Sequence, residues 1–546
     1  MRIGRPRQSV VGRSSFRNCV RGLTYQVGFV KYYLSPLETC SKCQAKIFHR
    51  ESENFCCGYG KISLQLVEPP LALLELFDDQ GPRGKQFRIN IRSYNRCFAF
   101  TSMGVYFDMD LADGTEGVYT FRIQGHHYRK IGSLFPIENA SRPRYVLIYF
   151  YDRNQEIGWR IKKGNDVLDR DVLKMFREIL NRHNSFFHVF RQGAEREDLL
   201  DCQLIIKEQP KDQLQYTLPT ASQVASIVPI GDKSYEHTKR EIIVQARTMN
   251  LLKVFETGGN YDPMQYPLFL PYGSYGWDIE SKDNNGRKKS CRGYYSCILQ
   301  MRNNHDSLFL RGGRLLQQYV VDNWVKIDSA RFRWITGHQN KLRAELYEGL
   351  QDAQIVGETI VDELSKNIVL PSSYIGGLRD MYQRYQDAMA LVQKYGKPDI
   401  FLTMTCNPLW PEIVANIRPG QSASDRPDLT TRKRGLPHVH MLIILEKEDK
   451  LQGPDDYDRI VRTEIRDKNK EPELYKRVKK WMIYGPCGSK CMLEGKCKRG
   501  FPKQFSECTL QGKDAYPVYQ RREDGNTIRM SKKFIADNRF VVPYNP

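Results

Sequence analysis

The spacing of apolar positions changes along the chain, and each spacing predicts an element. In "GRLLQQYVVDNWVKI" (313–327), Leu316, Tyr319, Val320 and Ile327 recur about once per helical turn, and "LRDMYQRYQDAMALVQKYG" (378–396) repeats the pattern with Tyr382, Tyr385, Met389 and Val392. Both read as helices, the second stopped by Gly396 and Pro398. Between residues 61 and 210 the runs "GVYTFRIQG" (117–125) and "RYVLIYFYD" (144–152) are rich in aromatic and β-branched residues and read as strands, with one helical stretch around 172–180. Polar "KEQPKDQLQYTLPTASQ" (207–223) reads as a connection. In "YDPMQYPLFLPYGSYGWD" (261–278), prolines and glycines forbid regular elements around many apolar residues, which predicts a packed loop. "DIFLTMTC" (399–406) and "HVHMLIILE" (438–446) are strands, and between them Asn407 can cap a short helix in "NPLWPEIVANI". No repeat of 20 to 50 residues is evident, which leaves a solenoid unindicated.

Length and composition extend this picture. A chain of 546 residues exceeds one ordinary core, and 40% hydrophobic with 11% aromatic residues argues for a folded protein. The pattern divides it into a basic arm and Cys-rich possible zinc module (1–60), a mixed α/β domain (61–210), a connecting region with the packed loop (211–292), a domain of helices and the two strands (293–447), and a basic Cys-containing extension (448–546). No apolar run is long enough to span a membrane, so no membrane partner is expected. The N-terminus has arginines at 2, 5, 7, 13 and 17 and no apolar signal core, which disfavours secretion and suits either an organelle transit segment or an arm on DNA. With 84 Lys and Arg against 63 Asp and Glu, a net charge of +21 favours a polyanionic partner, nucleic acid first, because basic side chains displace counterions from phosphates.

The 14 cysteines are clustered rather than spread as a disulfide framework. Cys40, Cys43, Cys56 and Cys57, with His49 between, offer five ligands where tetrahedral Zn²⁺ takes four. Adjacent Cys56 and Cys57 can both ligate only if a turn separates their side chains, so a set of Cys40, Cys43, His49 and one of that pair is equally good. Cys487, Cys491, Cys497 and Cys508 form a second, looser zinc candidate. It overlaps 476–503, which holds nine Lys or Arg and one acid, interspersed with Trp481, Tyr484 and Phe501. Lys476, Arg477, Lys479, Lys480, Lys496, Lys498, Arg499 and Lys503 can meet phosphates while the rings stack on unpaired bases, the chemistry of single-strand DNA binding. A solvated basic helix followed by a loop is the competing reading. Cys97, Cys202, Cys291, Cys297 and Cys406 read as buried thiols. His126 and His127, adjacent on a strand, point to opposite sides and make poor joint ligands.

In "KRGLPHVHMLIIL" (433–445), His438 and His440 are two apart on a strand and emerge on one face, where both imidazoles can reach one divalent ion. Such an ion would withdraw charge from a phosphoryl group. A surface or core pair of histidines without a metal is the alternative. Metal amidohydrolases, which also use H-x-H, need later histidines, and His440 is the last in the chain.

"FLTMTCNPLWPEI", "GQSASDRPDL" and "KRGLPHVHMLIIL" together resemble the helicase-like N-terminal region of Helitron transposon proteins. "SENFCCGYGKI", "YDPMQYPLFLPYG", "GRLLQQYVVDNWVKID" and "YGPCGSKCMLEGKCKRGFPK" are similar to blocks of the same proteins in the same order. The resemblance implies an α+β fold with an antiparallel two-histidine (HUH) endonuclease sheet flanked by helices. It implies that His438 and His440 hold Mg²⁺ or Mn²⁺ beside the strand 401–406, with Asn407 and Pro408 near the site. By this resemblance the protein is a nuclear or intracellular, rolling-circle replication-initiator-like DNA-binding protein. Three departures accompany it. Only Thr430, Thr431 and Arg432 stand where the family has a helix and a strand carrying Glu-x-Gln. The family's nucleophilic tyrosines lie beyond the block resembling "VVPYNP", and Tyr475, Tyr484, Tyr516 and Tyr519 do not sit in that motif. No Gly-Lys is followed by Ser or Thr, so no helicase phosphate loop is expected. The departures imply a degenerate or truncated endonuclease site, and the alternative is a noncatalytic nucleic-acid-binding transposon remnant with structural zinc.

Overall fold

The structure is a computed structural model of the 546-residue chain. It describes residues 38–47, 51–52, 54–64, 66–103, 106–107, 123–124, 129–131, 156–163, 168–198, 201–208, 218–230 and 241–245. Toward the C-terminus it describes 252–302, 305–342, 368–405, 411–418, 421–426, 429, 438–486, 491–493, 496–511, 517–530 and 534–546. These residues fall into two compact units. One takes in the described residues up to Leu370 and those of 405–438, the other those of 371–404 and 439–546.

The first unit mixes helices with small antiparallel sheets around an aromatic core. Helices Leu71–Asp78, Pro82–Ile89 and Ile91–Phe98 follow one another, and further helices run over Glu156–Lys163, Arg170–His183 and Ser185–Ala194. The region is therefore more helical than its aromatic and β-branched runs predict. The reason is length: a helix of eight residues shows its apolar period barely twice, too few repeats to distinguish it from a strand. Helix Arg170–His183 forms where the pattern places one, opened by Asp169, whose carboxylate accepts from the N–H of Asp171 (2.8 Å) and Val172 (3.0 Å). Of the two predicted strands, the first is represented by Ile123–Gln124, and 144–152 lies outside the described residues.

Strand Cys202–Ile206 is central in its sheet, paired on one side with Ala225–Pro229 and on the other with Ile242–Gln245. Leu204 lies opposite Ile227 and Val244, and all five residues of the strand are buried. The segment 261–278 is packed as expected, but its prolines and glycines do not forbid a regular element: Tyr261–Gln265 forms a short helix, with Pro263 in the first turn where no N–H is needed. Its Tyr266 and Phe269 meet Tyr319 of the long helix Arg314–Gly337 edge-on, with ring centroids 5.0 and 5.7 Å apart. Gly312 makes this approach possible, since a Cβ there would overlap the Phe269 ring at 2.3 Å. The long helix buries Leu315, Leu316 and Tyr319, half-buries Ile327, and leaves Val320 and Trp324 exposed.

In the second unit, helix Leu378–Tyr395 ends at Gly396, whose φ of +95° suits glycine. None of its residues is buried; Leu378, Met381, Tyr382 and Tyr385 are exposed along one face. Strand Ile400–Thr405 pairs with His438–Ile443. Asp399 N–H donates to the Ile443 carbonyl (2.9 Å) while Thr403 lies beside His440, so the strands run in opposite directions. Of the antiparallel sheet implied by the resemblance, the described residues contain this pair. A smaller core of Ile465, Val478, Ile528, Val541 and Tyr544 supports helix Pro472–Trp481 and short hairpins after it. No helix among the described residues is long and apolar enough to cross a membrane.

Candidate metal centre and nucleic-acid surface

Cys40, Cys43, Cys56 and Cys57 converge, all four sulfurs lying within 4.8 Å of one another. Two tight turns bring them there. In the first, Gln44 N–H donates to the Cys40 carbonyl (2.9 Å) and Gln44 takes a φ of +58°. In the second, Gly58, Tyr59 and Gly60 all have positive φ (60°, 60° and 80°), and Gly60 N–H points at Cys57 Sγ (3.2 Å). This run provides the turn that adjacent cysteines need, and both Cys56 and Cys57 join the cluster. His49 lies outside the described residues.

The donor set fits zinc. A tetrahedron with bonds of about 2.3 Å has sulfur–sulfur edges of about 3.8 Å, and Cys40–Cys57 and Cys56–Cys57 measure 3.8 and 3.9 Å. Burial would push the Cys40 thiol up, but backbone N–H groups of Cys43 and Lys42 turned toward its sulfur bring it down to about 7. Burial and the neighbouring thiols of Cys43 and Cys40 push Cys56 up. Cys57 is pushed up by burial, partly offset by Gly60 N–H. Crowded thiols that resist ionising together are what a divalent cation relieves. The centre is tied to residues 297–302 of the same unit: Lys46 N–H donates to the Met301 carbonyl (2.9 Å), Arg302 Nε donates to the Cys43 carbonyl (3.0 Å), and Cys297 packs against the cluster.

His438 and His440 occupy one strand, as expected, and the described side chain is that of His440. Its ring is exposed, stacks on Phe401 (centroids 5.3 Å, 9° between planes), and places Nδ1 2.9 Å from Thr403 Oγ1. Among the described residues the cysteine cluster is the grouping of three or more metal-ligand side chains, and His440 is not part of one. Asn407 and Pro408 lie outside the described residues, as do Cys406, His126 and His127.

Of the second cysteine set, Cys487 is outside the described residues, Cys491 and Cys508 are exposed, and Cys497 lies on the hairpin Met492–Leu493/Lys496–Cys497 with Sγ 3.5 Å from the Tyr484 hydroxyl. The basic residues near them in sequence are exposed. Helix Pro472–Trp481 buries Val478 and turns Lys476, Arg477, Lys479 and Lys480 outward. Lys480 Nζ sits 4.7 Å from the centre of the exposed Trp481 ring. Tyr484 stacks on Phe501 at 4.3 Å, flanked by Arg499 and Lys503, while Lys496 and Lys498 are exposed nearby in sequence.

One polar centre has no signal in the sequence. Inside the first unit Asp262 accepts from Lys326 Nζ (3.0 Å), Tyr295 (2.6 Å) and Tyr319 (3.2 Å), while Arg129 pairs with Asp322. Gly276 allows it, since a Cβ there would lie 2.6 Å from Asp262 Oδ2. Burial lowers the Lys326 pKa against the pull of Asp262. With both oxygens of the buried carboxylate engaged, the arrangement is a structural hub.

Together these features define a basic, mixed α/β protein with a cysteine-rich metal-type centre. Residues 294–433 match the family described as the Helitron helicase-like domain at the N-terminus, in agreement with the resemblance read from the sequence. No curated protein matches it.

Proposed function

We propose that this chain is a Helitron-type, replication-initiator-like DNA-binding protein. In this reading Zn²⁺ held by Cys40, Cys43, Cys56 and Cys57 locks the first unit, and the second unit grips single-stranded DNA in the nucleus. The observation that carries it is the pairing of cations with rings at Lys480–Trp481 and at Arg499/Lys503 around Tyr484–Phe501. Rings accept unstacked bases of any sequence and the cations follow the phosphates. The test is titration of a labelled single strand: Trp481→Ala with Phe501→Ala is expected to weaken binding by roughly 30-fold or more, from about 1–3 kcal/mol for each of two stacked bases. Absence of binding by the unaltered chain at low salt would sink the reading.

A second reading is metal-dependent strand cleavage. It is favoured by the exposed His440 ring on the same strand as His438, where Mg²⁺ or Mn²⁺ could polarise a phosphate. It requires nicking of single-stranded DNA that depends on Mn²⁺ and disappears on His438→Ala with His440→Ala. If no nicking occurs, the noncatalytic binding reading stands alone.

A further inference from the structure

Beside the cysteine centre, within the first unit, a cleft of about 430 Å³ opens between the turn that carries Cys56 and the polar hairpin after the packed loop. One wall is formed by Asn54, Phe55, Gly58 and Lys61, the other by Asp283, Lys288, Lys289 and the start of helix Cys291–Ile298. Lys61, Lys288, Lys289 and Arg292 face a single acid, Asp283. That carboxylate already accepts from the N–H groups of Asn285 and Arg287 (both 2.9 Å), within its own turn. Lys288 pairs with Glu280 at 3.0 Å, an exposed contact that a phosphate can readily exchange. The helix presents its N-terminal end here, with Ser290 Oγ capping Gly293 N–H (3.0 Å), and Phe55 offers an exposed ring at the rim. The family match begins at residue 294, so nearly all of the cleft lies outside it.

We propose that this cleft binds the phosphodiester backbone of a single nucleic-acid strand, and that it does so only while the four-cysteine centre holds its metal. The proposal rests on the DNA-binding reading above and adds a contact on the other unit. Its metal dependence comes from its construction. The Cys56 wall packs around the cysteines themselves, with Ile62 against helix Cys291–Ile298, where a Cβ on Gly293 would lie 3.0 Å from Ile62 Cδ1. The opposite hairpin is tied to the same wall through Asn284, whose N–H reaches the Lys61 carbonyl (2.9 Å) and whose Nδ2 reaches the Gly60 carbonyl (2.8 Å). Without a cation to hold four crowded sulfurs, both walls lose their fixed spacing.

The experiment uses the full chain with zinc and a labelled thymidine oligonucleotide. Lys61→Ala with Arg292→Ala should retain zinc, weaken binding about tenfold, and make the log–log salt slope shallower by about 1.4, at about 0.7 per phosphate on a single strand. Chelation of zinc from the unaltered chain should reproduce the shallower slope. Acetylation footprinting needs no variant: Lys61 and Lys288 should be protected severalfold by the oligonucleotide with zinc present and not after chelation. Oligonucleotide binding with neither the slope nor the acetylation of these lysines changed would overturn the cleft and leave the broader reading intact. Absence of any binding would overturn both.

Discussion

Glu156 is fully buried, and its charge is held by Arg160 (2.9 and 2.6 Å) and Arg191, with the Arg160 guanidinium also 4.2 Å from the Phe98 ring centre. Burial alone would raise its pKa, but the two guanidinium groups outweigh burial and hold it below the ordinary 4.5. A carboxylate depressed in this way contributes stability that is present above the unfolded value and is lost as pH falls through the folded one. Glu156→Gln is expected to cost about 3–5 kcal/mol at neutral pH by stranding two buried cations. Denaturant melts should show the gap between variant and unaltered protein narrowing below about pH 4.5. None of this was legible in the sequence. Glu156 and Arg191 are 35 residues apart, as Asp262 and Lys326 are 64 apart, and charged residues in a pattern read as solvated until the fold closes over them. The cysteines were legible as a cluster because their spacing is local, and only the run of positive φ after Cys57 decided that both neighbours enter it.

Among the elements, the long helix Arg314–Gly337 and the helix Leu378–Tyr395 were both readable from their period, and so were the strands at 399–406 and 438–446. Period shows that a face is apolar, not that it is covered. Leu316 and Tyr319 are in the core, whereas Tyr382 and Tyr385 are exposed although their spacing is the same. The short helices at 71–98 were missed because eight residues carry too little period. If Met381 and Tyr385 contribute nothing to a core, then Met381→Lys with Tyr385→Glu should change unfolding free energy by no more than about 0.5 kcal/mol per site, measured by denaturant titration. A larger loss would mean that the face is covered in solution.

At the scale of the whole molecule, the cysteine centre connects the chain near residue 40 to residues 297–302, so the metal should stabilise the first unit as a body rather than a detached finger. Structural zinc in small domains is worth on the order of 10 kcal/mol. Chelation is therefore expected to lower the melting temperature of the first unit by about 10 °C or more in calorimetry. Cys40→Ser or Cys56→Ser should reduce bound zinc from one ion per chain toward none. Zinc affinity should weaken steadily as pH falls through the neutral range, because the metal must displace protons from the raised thiols of Cys56 and Cys57. The basic balance of +21 and its run among Trp481, Tyr484 and Phe501 were visible in the sequence, whereas the cleft beside the cysteines needed coordinates. The uncovered face of helix Leu378–Tyr395 also bears on handling. Like charge keeps copies of the protein apart, and brine shortens that repulsion to about 8 Å at 0.15 M without weakening the stickiness of bare leucine, methionine and tyrosine. Raising the ionic strength is thus expected to favour self-association of the purified protein, which light scattering against salt concentration checks.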